Sequence, residues 1–130
     1  SKAKWKIAFG HQPWISVGDH GNAPPKLNRF FEKLMNEGDI DLYMCGDDHN
    51  KQIIEKRVKN DKTVTLLVCG TGGREVDKPY NLENVSEPDR ELLFFSPYLG
   101  ISTVESTDKK LIITIYDVND KVEYIHEIEK

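Results

Sequence analysis

The chain has 130 residues, 38% of them hydrophobic and 31% charged, which bounds it to one globular domain with enough apolar side chains for a core. Eighteen basic against twenty-two acidic residues give a net charge of −4, and no basic stripe gathers on any predicted element, which argues against a nucleic-acid partner. No apolar run approaches the ~20 residues of a membrane span, and no charged-then-apolar leader opens the chain.

Residues 5–9 (Trp-Lys-Ile-Ala-Phe) read as a strand that delivers Gly10-His11 to a loop ending at Pro24-Pro25. Leu27, Phe30, Phe31 and Leu34 then recur at helical spacing, and Gly38 falls where a C-terminal cap belongs, predicting one main helix over about 25–37. Ile40 to Cys45, broken only by Asp41, has the length of a buried strand and empties into Gly46-Asp47-Asp48-His49. Strand, helix and strand make a βαβ-like unit.

Beyond His49 the pattern turns β-rich. Gln52–Val58 and Thr63–Cys69 flank Asn60-Asp61, a turn signal, and predict an antiparallel pair. A polar loop follows from about Gly70 to Glu91, longer than the ~12–15 residues that a plain connection needs. Leu92–Phe95, Gly100–Glu105, Leu111–Asp117 and Val122–Ile128 read as four further strands, with turns at Asp108-Lys109 and Asn119-Asp120. The strand 111–117 alternates so that Ile112, Thr114 and Tyr116 form a partly polar face. Tyr43 and the pairs Phe30-Phe31 and Phe94-Phe95 read as core, and His126 as a surface residue.

Cys45 and Cys69 close predicted buried strands without CxxC spacing, and read as free thiols. Asn84-Val85-Ser86 matches a glycosylation acceptor, although the Asn and Ser/Thr content yields about one such match by chance. Gly70-Thr71-Gly72-Gly73-Arg74 lacks the Gly-Lys-Ser/Thr ending and following helix of a nucleotide cradle, so its glycines read as tight-turn residues, with Arg74 within reach of an anion.

His11 begins a loop after a strand, and His49 follows 38 residues later with Asp47 two positions before it. In extended backbone, residues 47 and 49 share a side, so one loop can touch two neighbouring ions. Two metals ~3.5–4 Å apart clamp a phosphoryl oxygen and activate water. Hydrogen-bonded strand caps account for the same histidines equally well.

The stretches Ile7–Ser16, Asp19-His20-Gly21 and Asp41–Gln52 resemble the C-terminal half of calcineurin-like metallophosphoesterases, and most closely the purple or tartrate-resistant acid phosphatases. The likeness continues through Val68-Cys69-Gly70-Thr71-Gly72-Gly73 into the closing hairpins and so covers nearly the whole chain. It implies a mixed α/β fold: half of the αββα sandwich, with one main helix and a largely antiparallel, β-rich C-terminal part. Residues 1–130 would be the C-terminal half of a single domain, completed by an N-terminal half as the same or a separate polypeptide, because the Asp-x-Asp or Asp-x-His, Gly-Asp-x-x-Tyr-type and Gly-Asn-His-Glu/Asp motifs of the family's first half do not occur ahead of His11.

The resemblance further implies metal-dependent hydrolysis of phosphomonoesters, with two metal ions of the Fe, Zn or Mn type in the complete site. His11 matches a ligand of the second metal and His49 a ligand of the first. Asp47 stands where the first histidine of Gly-His-x-His would bind the second metal, so it is either a carboxylate ligand or the mark of a degenerate, non-catalytic binding module. Asp19-His20 falls where the relatives carry Glu-His beside the substrate phosphate, which makes His20, with Asp19, the candidate for protonating the leaving group. The relatives are secretory or lysosomal, and the compartment of this chain stays open.

Overall fold

The computed structural model describes residues 2–73 and 78–130. Strand β1 (Ile7–Phe9) leads through a long loop to helix α1 (Pro25–Glu37) and back to β2 (Leu42–Cys45), which pairs in parallel with β1. Strand β4 (Thr63–Cys69) adds in parallel to β2, and β3 (Lys51–Arg57) lies antiparallel between β4 and β5 (Arg90–Ser96). The order of this five-stranded sheet is β1-β2-β4-β3-β5. A second, antiparallel sheet of three strands is formed by β6 (Gly100–Ser106), β7 (Lys110–Asp117) and β8 (Val122–Glu129) in chain order. Helix α1 falls on the span predicted from its periodicity, and the mixed α/β class holds.

Alternation along the central strands builds three layers. Tyr43, Ile54, Val64 and Leu66 face Phe31 and Met35 of α1, while Leu42, Ile53 and Leu67 meet Leu111, Ile113 and Ile115 of β7. One residue of slip in any of these strands would exchange the two faces. Pro24 and Pro25 begin α1 with fixed φ and no wasted donor, since Pro25 sits in the first turn. Gly38 ends it for reasons of space: its N–H reaches Leu34 O at 2.7 Å, and an added Cβ would lie 2.5 Å from that carbonyl. The left-handed turn that follows is taken by Asp39, at φ 54°.

Several expectations shift in detail. Strand β2 starts at Leu42, because Asp41 is buried as a knot: its carboxylate accepts Lys6 N at 2.8 Å and Lys130 Nζ at 3.0 Å, tying the two ends of the chain to the sheet. Phe30 is 59% exposed and leaves the core to Phe31, since α1 turns it away from the sheet. His126 is a semi-buried residue of β8, its side chain 12% exposed, with Nε2 3.3 Å from Glu55 Oε1 outside hydrogen-bond geometry. Cys45 and Cys69 are free and half-buried.

Lys51 is fully buried at the start of β3 and pairs with Glu123 of β8, which fastens one sheet to the other. Its Nζ also donates to Tyr116 O at 3.3 Å, and Ser96 Oγ donates to Glu123 Oε2 at 2.7 Å. Removing one partner of such a pair strands the other charge. Lys51→Met should therefore cost roughly 3–5 kcal/mol in urea unfolding, and Lys51→Met with Glu123→Leu should recover most of it.

Burial lowers the pKa of His126 from its ordinary 6.5, only partly offset by the charge of Glu55. The unfolded chain then binds a proton that the folded chain resists, so stability present above pH 6.5 is lost as pH falls below it. Urea midpoints at pH 7 and pH 5.5 should show a smaller drop for His126→Leu than for the parent chain.

Candidate metal and phosphate site

Because β1, β2 and β4 are parallel, their carboxyl ends open on one edge of the sheet, where open α/β sheets place ligands. Gly10-His11 leaves β1 there, Gly46–His49 leaves β2, and Gly70–Gly73 leaves β4. Gly10 N donates to Met44 O at 3.0 Å and Gly46 N to His11 O at 3.1 Å, so the first two exits are laced together. Beneath them the Tyr43 hydroxyl donates to Gln12 O at 2.7 Å, and burial pushes its pKa up to about 12.

Three of the candidate side chains converge. Asp47, at φ 66°, brings Oδ1 to 3.1 Å from His11 Nε2 and 3.8 Å from His20 Nε2. His49 stands beside His20, with ring centroids 6.4 Å apart and planes nearly perpendicular. His11 is 77% exposed, so its imidazole is reached from solvent. Asp19 is exposed and lies outside the group gathered on Asp47. Arg74 lies outside the described residues. Among the described residues, no group of three or more His, Cys, Asp or Glu is arranged to hold an ion.

The residue that positions this site is Asp48, which sequence reasoning treated only as the middle of a motif. It is fully buried, accepts the N–H of His20 on Oδ1 at 2.7 Å and accepts the hydroxyl of Ser16 on Oδ2. Gln52 completes the arrangement, donating to Ser16 Oγ at 2.9 Å and Asn50 Oδ1 at 2.6 Å while accepting Val17 N at 3.0 Å. A Cβ on Gly18 would come within 2.5 Å of Asp48 Cγ, so the loop can close on the carboxylate only with glycine there. The available signal was Asn50-Lys51-Gln52, a polar run leading directly into the buried pair Ile53-Ile54. Burial, with the nearby charges of Asp48 and Asp47, raises the pKa of Cys45 far above the usual thiol range, which keeps it out of nucleophilic chemistry.

No protein-family model matches the chain. Purple acid phosphatase 17 of Arabidopsis thaliana is 30% identical over 118 residues, 91% of this chain and 33% of that protein. Purple acid phosphatase 3 of the same plant is 31% identical over 118 residues, 91% of this chain and 30% of that protein. Among solved structures, GAP50, described as the anchor in the inner membrane complex of Plasmodium, superposes with a TM-score of 0.80 at 25% identity, covering 98% of this chain and 37% of that one. The purple acid phosphatase PPD1 of yellow lupin shares the fold, with a TM-score of 0.75 over 96% of this chain and 25% of that one at 14% identity. Sequence and fold together make the chain a relative of the purple acid phosphatases, as its motifs imply, and it spans about a third of the length of the curated relatives it matches.

Asp48→Ala should leave the buried Ser16 hydroxyl and His20 N–H without an acceptor and destabilise the chain by roughly 2–4 kcal/mol in urea unfolding. Loss of the His20–His49 ring contact, read from their NMR signals, should accompany it.

Proposed function

We propose that residues 1–130 are the C-terminal half of one metallophosphoesterase domain and carry part of a two-metal site for phosphoester hydrolysis. The observation that carries this reading is the meeting of His11 and Asp47. Two donors bound at ~2.0–2.2 Å to one divalent ion stand about 3 Å apart, and the 3.1 Å between His11 Nε2 and Asp47 Oδ1 has that spacing. These two residues would hold one ion and His49 would contribute to the other, with the remaining ligands from the rest of the domain. Bound ions supply Lewis acidity toward the phosphoryl oxygens and an activated water.

The chain's own groups do the rest. His20 Nε2, beside the metal-facing carboxylate, holds the proton that a leaving alkoxide requires, and Asp48 fixes the backbone from which it projects. β1 is an edge strand with Phe9 83% exposed, and Phe30 of α1 is exposed nearby, which supports further structure joining at this margin.

A second reading is favoured by a specific observation. Asp47 is engaged with two imidazoles, and the similarity to GAP50, described as an anchor, fits a phosphatase-like module without turnover. Metal analysis and aryl-phosphate hydrolysis by the protein that contains this chain separate the two readings. The hydrolase reading expects about two transition-metal ions per chain and a loss of ~100-fold or more in turnover in Asp47→Ala. Absence of metal and turnover in the parent, with both appearing in Asp47→His, would establish the non-catalytic reading.

A further inference from the structure

Pro13–Gly18 runs through the interior without helix or strand, so its backbone polar groups depend on partners from elsewhere. The N–H groups are taken by side chains of the site itself: Ser16 N by Asn22 Oδ1 at 3.1 Å, Val17 N by Gln52 Oε1 at 3.0 Å and Gly18 N by Ser16 Oγ at 3.0 Å. The carbonyls are taken from across the chain. Asn84 Nδ2 donates to Ser16 O at 2.9 Å, Asn81 N to Val17 O at 3.0 Å and Asn81 Nδ2 to Gly18 O at 2.6 Å. Three consecutive carbonyls are thus gripped by the start of one short 3-10 turn, Leu82–Val85, which Arg90 Nη1 steadies by donating to Asn84 O at 3.3 Å.

We infer that Asn81 and Asn84 form a two-amide clamp that positions His20, with Asn84 acting inside its glycosylation-type tripeptide as a structural donor whose nitrogen is committed to Ser16. His20 lies between the two points so fixed. Its N–H is held by Asp48, Gly18 before it is held by Asn81, and Gly21 after it turns at φ 69° close beneath both amides. The clamp and Asp48 grip opposite polar edges of the same loop, so neither alone fixes the direction in which the imidazole leaves the backbone.

The test is side-chain and backbone amide exchange by NMR on the protein that contains this chain. In the parent, the Asn81 and Asn84 side-chain amides should exchange at least ~10-fold more slowly than free amides. Asn81→Asp and Asn84→Asp keep the shape but replace the donor with an acceptor. Each should lower protection of the His20 and Gly21 amides by roughly tenfold or more and move the His20 ring signals, while Leu67 and Ile113 keep their protection.

Free-amide exchange in the parent would overturn the clamp, even if neither variant folds. So would uniform loss of protection with unmoved His20 signals, which marks a merely structural role. A final arm rests on the phosphatase reading: inorganic phosphate affinity at fixed pH should weaken roughly three- to tenfold in Asn84→Asp. Failure of the parent to bind phosphate would count against that reading, while the amide exchange still decides the clamp.

Discussion

The site depends on a stretch of chain that is buried where no regular structure can satisfy it. The six backbone groups of Ser16, Val17 and Gly18 all lie inside, and each has a protein partner. An unpaired buried amide or carbonyl costs about 1–3 kcal/mol. Six of them would rival the roughly 5–15 kcal/mol by which a whole domain is stable. The network is therefore a condition of folding, and the placement of His20 comes with it. Asp48 is its charged member, and a carboxylate that accepts a hydroxyl and a backbone N–H is held in one orientation.

A second set of buried charges governs how the layers stack. Lys51 and Glu123 lie on different sheets, so their pairing sets how β3 meets β8. Such pairs contribute little net stability, because desolvation offsets attraction, but a mismatched arrangement would bury an unpaired ion. Asp41 acts similarly just before β2, where its carboxylate accepts the backbone N–H of Lys6 and pairs with the ammonium groups of Lys62 and Lys130. The strand that carries the motif is thus bounded by a buried carboxylate knot before it and the Asp48 network after it. The exit loops at His11 and Asp47 are laid over a framework with few ways to shift.

How much of this was legible follows from the range of each signal. Helix α1 announces itself through local periodicity and two prolines, and β3 and β4 through Asn60-Asp61, whose positive φ values suit Asn and Asp. The βαβ order brings His11 and Asp47 to one sheet edge, so the convergence of His11, Asp47 and His20 was within reach of the motifs. The supports of that convergence were not. Asn81 and Asn84 act on residues more than sixty positions away, and in a polar loop two asparagines look like turn chemistry. His126 misled for a related reason: an alternating edge strand reads as exposed on one face, and only the packing of Glu55 opposite reveals the burial.

Asp47 remains the point on which the chemistry turns, and electrostatics sharpens what it requires. A phosphate ester brings negative charge to a site whose central group here is a carboxylate. Two unit charges about 5 Å apart repel by roughly 3 kcal/mol at an effective dielectric near 20, which is more than a hundredfold in affinity. A histidine at that position would impose no such penalty. The arrangement of one carboxylate among His11, His20 and His49 suits a phosphoester only with a cation between them, or with the imidazoles carrying charge. On the proposed hydrolase reading, Asp47 would therefore tie substrate binding to metal binding more tightly than a neutral ligand would. If the ion is held, the carboxylate offsets its charge and moderates its acidity; if it is not, the same oxygen repels the substrate, and the fold is left as a surface for other partners.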